Sequence, residues 1–318
     1  MDNLTHSLAG WALGQAGLKT KSRKGLAALI LAANMPDIDV FFGGFPWQPL
    51  ATHRGFTHGL VGGVLMMPPI LAALLWLFDR WQVKRGTEFE SGLSMRPGWL
   101  VALCYIGALT HPFLDLLTTY SVQLYSPLSG LWYHADALFI IDVWVWLALV
   151  GGIAWSKSLE KRGRRWPGPA QAAVAAVVAY IGANLLISDR AAAAVHASPQ
   201  AGEVRSLFAS PPPVAFWRRG LVWRDGDCIR RSTYDPLAGG LGDVTACKPT
   251  NMDSPLVKEA LGRDAKLRKF LHWSILPMAE VRRGRCSVHV SIGDARYGER
   301  ARSALMRQTV VPTGAPGC

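Results

Sequence analysis

Between Gly59 and Phe78 the chain runs for 20 residues without a charged side chain. A helix rises ~1.5 Å per residue, so this run is about as long as a ~30 Å hydrocarbon layer is thick. Such a segment belongs in lipid or in the middle of a helical bundle. Trp99–Leu117, Ala137–Trp155 and Ala170–Ile187 are similarly apolar, and Gly25–Ala33 is a shorter run. Asn3 or Thr5 is placed to cap a further helix reaching about Leu18. The acidic Asp2 precedes that helix and the lysines follow it, the reverse of a cleaved secretory signal. The expected fold is therefore an all-α polytopic membrane helix bundle of five to six helices over residues 1–188. Pro68-Pro69 is expected to kink its helix, which neighbouring helices tolerate.

A formal charge of +12 on 318 residues could signal nucleic acid. Its distribution argues against that partner. Of the 34 Lys and Arg, 14 precede residue 189, against 10 of the 22 Asp and Glu. Thirteen of those 14 fall in three loops, Lys19–Lys24, Arg80–Arg96 and Lys157–Arg165. If each apolar run crosses once, the three loops share a side, and the positive-inside rule makes it cytoplasmic. The basic excess after residue 188 is scattered among Trp, Pro and Gly rather than forming a stripe. No nucleic-acid partner is expected.

The opposite face then collects every histidine of this half of the chain. His111 and Asp115 stand at i and i+4, on one helix face, at the outer end of an apolar run. Ionisable groups at that depth are costly and usually mark function. Two readings fit them: ligands of one metal ion, or a polar knot that holds helices together. His6, His53, His58 and His134 join them on the same face, with Asp37, Asp39, Asp136 and Asp142. Imidazole and carboxylate without nearby thiolate suit zinc or another first-row divalent ion, with Mn2+ or Mg2+ as substitutes. A centre of that kind activates water and stabilises the oxygens of a phosphoester in hydrolysis. Arg54 carries a guanidinium whose fork matches phosphate. Each residue also has a plain structural reading. Asp37 and Asp39 could cap or end helices, His53 could be an ordinary loop histidine, and His134-Ala135-Asp136 could start a helix. Asp142 is harder to set aside, because a carboxylate between Ile140-Ile141 and Val143-Trp144 needs a partner.

Four segments occur in order: Asn3-Leu4-Thr5-His6, Met35-Pro36-Asp37-Ile38-Asp39, His53-Arg54-Gly55-Phe56-Thr57-His58 and His111-Pro112-Phe113-Leu114-Asp115. Together they resemble the YdjM-like family of inner-membrane proteins over roughly residues 1–190. The resemblance implies a metal-dependent hydrolase in a bacterial inner membrane. A more distant similarity reaches the zinc-dependent phospholipases C and single-strand nucleases. His6, Asp37, His58 and His111 with Asp115 follow the ligand order of those enzymes. The second His-x-x-x-Glu pair of that pattern is missing; His134, Asp136 and Asp142 stand at other spacings, which leaves the metal count open. The resemblance implies His6, His58, His111 and Asp115 as ligands, and Asp37 or Asp39 as a ligand or proton acceptor. Arg54 is then the residue that steadies phosphate.

Residues 189–210 read as a linker and residues 211–318 as a soluble α+β domain. Gly220–Arg224 and Ser287–Ile292 alternate like strands, and Ser254–Leu271 reads as helical with a break at Gly262. An odd number of crossings after the Lys157–Arg165 loop places this domain outside the cytoplasm. Cys228, Cys247, Cys286 and Cys318 form an even set that fits disulfides there, although all could be ordinary core residues. Pro211-Pro212-Pro213-Val214-Ala215-Phe216-Trp217, Phe270-Leu271-His272-Trp273 and Asp294-Ala295-Arg296-Tyr297 look like motifs of an extension found in some YdjM-like members. The expected function is a membrane-bound, divalent-metal hydrolase of a phosphoester, with membrane lipid as the expected partner and substrate source. The alternative is a non-catalytic scaffold with a structural metal or polar cluster. Transport through the His/Asp set would require polar residues across the bundle, and the inner halves of Gly59–Phe78 and Ala137–Trp155 have almost none.

Overall fold

The computed structural model of the chain describes residues 1–42, 53–299 and 306–312. These fall into two compact units: a helical one as far as Leu186, with Pro213–Phe216, and a strand-rich one from Ile187 on. The helices are α1 (Asn3–Gln15), α2 (Gly25–Asn34), α3 (Leu60–Lys84), α4 (Pro97–Leu116), α5 (Val143–Lys161) and α6 (Pro167–Ala197). Three of them, α3, α4 and α6, are long and apolar enough to cross a membrane. The α1 and α2 helices, at 13 and 10 residues, are shorter than a span. The last turns of α5 carry Lys157, Glu160 and Lys161.

Several local differences from the sequence expectation have plain causes. Asp2, rather than Asn3 or Thr5, caps α1: its Oδ1 accepts from the Leu4 and Thr5 amides at 3.0 and 3.1 Å. A carboxylate there also meets the positive end of the helix dipole. The first turns of α3, Leu60–Met66, are wound as a π-helix and pass into α-helix at Met67. Pro68 and Pro69 thus fall in the first turn of the α-helical part, directly after the π-wound turns. Residues 137–142 precede α5 rather than opening it, because Asp142 caps that helix at Val143.

The α2 helix lies between α1 and α4, with Ala28, Leu29, Ala32 and Ala33 wholly buried. The approach needs glycine on both neighbours. A Cβ on Gly10 or Gly107 would stand 2.7 or 2.5 Å from the Leu29 carbonyl oxygen. The three basic clusters gather at one end of this unit. Lys19 pairs with Glu160 at 2.6 Å, the Arg23 amide donates to the Ser94 carbonyl at 3.1 Å, and Arg23 binds Asp79 with two bonds of 2.7 and 2.8 Å. The α1 and α5 helices run parallel: Trp146 Nε1 donates to Thr5 Oγ1 at 2.8 Å, and Ser156 Oγ donates to Gln15 Oε1 at 3.2 Å. His6 and His111 therefore sit at the end away from the basic loops, the segregation that the loop charges lead one to expect.

The second unit holds two antiparallel sheets. Strands β1 (Arg205–Ser210), β2 (Arg219–Asp225), β3 (Cys228–Asp235) and β4 (Gly240–Leu241) follow one another, and β5 (Lys248–Pro249) also pairs with β3. Strands β6 (Pro277–Arg283), β7 (Ser287–Asp294) and β8 (Met306–Pro312) form the second sheet. The expected strands at 220–224 and 287–292 are β2 and β7. Residues 254–271 form two helices, α7 (Pro255–Arg263) and α8 (Ala265–Trp273), parted at Asp264, not Gly262. Asp264 accepts from the Lys266 amide at 2.7 Å and so caps α8. Residues 189–210, read as a linker, contain the last turns of α6 and the whole of β1. Cys228 and Cys247 form a disulfide, Cys286 is also disulfide-bonded, and Cys104 is a buried free thiol. The Asp294 and Arg296 motif residues are a buried ion pair at 2.8 Å, with the guanidinium 4.7 Å from the Trp273 ring and 5.1 Å from the Phe208 ring.

Candidate metal centre

Four side chains converge at the end of the helical unit away from the basic loops. His111 and Asp115 come from the last turns of α4, and Asp37 from the short 3-10 segment Met35–Phe42 that ends α2. His58 comes from the turn that leads into α3. The π-wound start of α3 lets that turn lie close: a Cβ on Gly63 would meet the Thr57 carbonyl at 2.4 Å. Asp37, His58, His111 and Asp115 are all buried, and one ligand atom from each lies within 4.8 Å of the others. Asp39, His53 and His58 form a second such group beside the first.

The hydrogen bonds around the two imidazoles fix their tautomers. His111 Nδ1 lies 2.6 Å from the Ala33 carbonyl oxygen, which can only accept, so Nδ1 carries the proton. Thr57 Oγ1 donates to Asp39 Oδ2 at 2.8 Å. That hydroxyl oxygen is then free to accept from His58 Nδ1 at 3.0 Å. With Nδ1 protonated, the neutral form of each ring presents its lone pair at Nε2. These two nitrogens face one another at 3.0 Å. Asp37 Oδ1 lies 3.2 Å from one and 3.3 Å from the other, and Asp115 Oδ2 lies 3.3 Å from both. Four electron-pair donors meet in one buried place. A single extra proton on either ring would satisfy only part of this set, whereas a divalent cation could be held by all four.

The two oxygens of Asp115 divide their work. Oδ1 accepts from the Met1 amino group and pairs with Arg54 Nη2 at 3.0 Å. Among the described residues Oδ2 has no hydrogen-bond donor, and it faces the cluster. Arg54 is 2% exposed; its Nη1 donates to Thr118 Oγ1 at 2.8 Å, and the guanidinium lies 4.6 Å from the Tyr120 ring centre. In this arrangement Arg54 is engaged by Asp115 beside the site. His6 stacks on His111 with ring centres 3.7 Å apart. Its Nε2 is 3.5 Å from Asp115 Oδ1, and neither ring nitrogen has a hydrogen-bond partner among the described residues. His53 Nδ1 lies 2.8 Å from Asp39 Oδ1, and its Nε2 lies 3.9 Å from Asp37. Burial alone would raise the Asp39 carboxyl, but the bonded His53 ring, then His58 and Thr57, hold it below the usual carboxylate range.

The remaining sequence candidates lie outside the four-residue group. His134 pairs with Asp136 at 3.1 Å, on a segment hydrogen-bonded to the Leu116 and Leu117 carbonyls next to Asp115. Asp142 accepts from the Trp144 and Val145 amides at 3.1 Å each and from Tyr180 Oη at 3.1 Å. That fills the partner requirement its sequence context raised. Thr57, Thr118, Tyr120 and the Ala33 carbonyl were not read as site groups. Only Thr57, a hydroxyl next to a histidine, carried a usable signal.

The family model described as YdjM inner membrane protein matches residues 1–191, the stretch that holds all these residues. No curated protein and no solved structure matches the chain. The chain belongs to the YdjM inner membrane protein family.

Proposed function

We propose that the protein is a membrane-bound, divalent-metal-dependent hydrolase that acts on a phosphoester at the outer face of the inner membrane. The observation that carries this reading is the meeting of the His58 and His111 Nε2 atoms at 3.0 Å between two carboxylates. Asp37, His58, His111 and Asp115 would hold the ion, with His6 beside them. A divalent ion held there supplies Lewis acidity toward a phosphoryl group and acidifies water. Asp39, His53 and His58 offer room for a second ion. Asp39, held ionised by its histidine neighbours, is the residue able to accept a proton, and Arg54 is the cation able to steady a phosphate. The histidines sit at the end of the bundle opposite the basic loops, at headgroup depth in the positive-inside orientation, which favours a lipid-borne substrate. The same orientation puts the strand-rich unit outside the cytoplasm, in keeping with its disulfides.

The test is a phosphoester panel, including phospholipids, on the full-length protein in detergent, before and after chelation. The reading predicts turnover of at least one phosphoester, lost with the metal and restored by zinc or manganese. A fully metal-loaded protein that hydrolyses none of them would favour a scaffold with a structural ion.

A further inference from the structure

We propose a second, independent ligand site: one anionic phospholipid seated in the groove between α1 and α5, at the end of the helical unit away from the histidines. The groove encloses about 470 Å³ and is walled by Leu8 and Trp11 of α1 and by Val150 and Ile153 of α5. Lys157, Ser158 and Lys161 line one end of it. Residues 143–156 of α5 carry no charge, so these lysines stand where about 21 Å of apolar helix ends. They are one turn apart on a single face.

Charge is what selects the occupant. Lys19, on the neighbouring segment, is matched by Glu160 at 2.6 Å. Lys157 and Lys161 are both exposed, and neither pairs with a carboxylate among the described residues. The Lys157 Nζ lies 5.0 Å from the Trp11 ring centre, with its stem along the apolar wall, as lysines at an interface do. Trp155 is 64% exposed on the same helix, a further mark of an interfacial aromatic belt. An apolar slot that ends in two unmatched ammonium groups and a hydroxyl fits a molecule with an acyl chain and a phosphate of net negative charge. Soluble phosphate lacks the chain, and a zwitterionic headgroup lacks the net charge. Basic pockets between helices on the cytoplasmic side bind anionic headgroups for this reason. Arg164 and Arg165 follow in the same loop but do not line the groove.

The experiment uses the full-length protein in mild detergent, offered phosphatidylglycerol, phosphatidylcholine or glycerol phosphate, with bound molecules counted by native mass spectrometry. The expected result is retention of phosphatidylglycerol in roughly tenfold excess over phosphatidylcholine and no retention of glycerol phosphate. Lys157→Gln with Lys161→Gln should erase that preference. Arg164→Gln with Arg165→Gln, which removes equal charge from the loop, should keep it, and Ala154→Trp should block the slot to both lipids. Equal retention of the two lipids, or a preference unchanged in the double lysine variant, would overturn the site. So would an equal loss in the arginine variant, since the attraction would then belong to the loop as a whole. None of these outcomes depends on the metal centre, which lies at the other end of α1.

Discussion

Two buried clusters of charge among the described residues are built differently. In the strand-rich unit every acceptor of Asp294 meets a donor. Arg296 holds its two oxygens at 2.8 and 2.9 Å, Ser274 Oγ donates at 2.7 Å, and the Ile275 and Leu276 amides at 3.0 and 3.3 Å. That is a closed structural knot. In the helical unit the two imidazole Nε2 atoms stand 3.0 Å apart, with a carboxylate oxygen of Asp37 and one of Asp115 each within 3.3 Å of both. A cluster that served only to hold helices together should resemble the first. The second is a set of four groups that could hold a metal ion, and this difference in donors is what a metal site and a polar knot would be expected to show.

The largest effect expected is on metal content. Asp115→Asn and His111→Ala should each remove most of the bound metal, measured on purified protein, whereas Asp294→Asn should leave it unchanged. Retention of full metal in the first two variants would place both clusters in the same structural class. Stability should respond the other way. Asp294→Asn strands the buried Arg296 guanidinium and should cost about 3–5 kcal/mol in the strand-rich unit, followed by its β-sheet signal in thermal or urea melts. A loss near zero would mean that the knot is not closed. Removal of the Cys228–Cys247 bond, which spans 19 residues, should cost that unit about 3 kcal/mol. Melts of Cys228→Ala with Cys247→Ala, which leave the Cys286 bond intact, check it against the parent protein, and coincident curves would remove its stabilising role.

The parts of this contrast differed in how legible they were. Uncharged length announced α3, α4 and α6, and the i, i+4 pair of His111 and Asp115 followed from helix geometry alone. Segregation of histidines from basic loops was readable too, because it needs only the order of segments and the side of each loop. Periodicity says nothing about approach between segments. Hence the pairing of Arg54 with Asp115, the stacking of His6 on His111 and the Ala33 carbonyl that sets a tautomer were out of reach. Asp142 shows the limit from the other side: a buried carboxylate demanded a partner, and the partners were the amides of its own helix and a tyrosine. The split of residues 254–271 at Asp264 rather than Gly262 has the same origin, since a capping side chain decided the boundary.

A smaller effect should follow from Thr57, which relays Asp39 to the His58 ring. Thr57→Val removes the hydroxyl that accepts the His58 Nδ1 proton, while all four candidate ligands remain. Metal affinity should fall roughly 10–100-fold, read by competition with a chelating dye. Unchanged affinity would mean that the tautomer of His58 is set elsewhere. The smallest effect is on pH. Burial alone would raise Asp294, but the Arg296 charge and the bonds around it hold the carboxyl below its usual range. Its contribution to stability is therefore fully present above the unfolded carboxyl value of about 4 and is lost as pH falls through the lower folded value. The melting temperature of the strand-rich unit should decline below about pH 4, and less steeply in Asp294→Asn; equal slopes would deny Asp294 the role.

The central claim is that a cation, not a proton, joins His58 to His111. Anomalous diffraction from crystals of the full-length protein, collected on both sides of the zinc absorption edge after zinc loading, tests it most directly. The account predicts an anomalous peak enclosed by the two Nε2 atoms and the Asp37 and Asp115 carboxylates, and none beside Asp294 and Arg296. Nε2 atoms still at hydrogen-bond distance after zinc loading, with no anomalous signal between the rings, would contradict it.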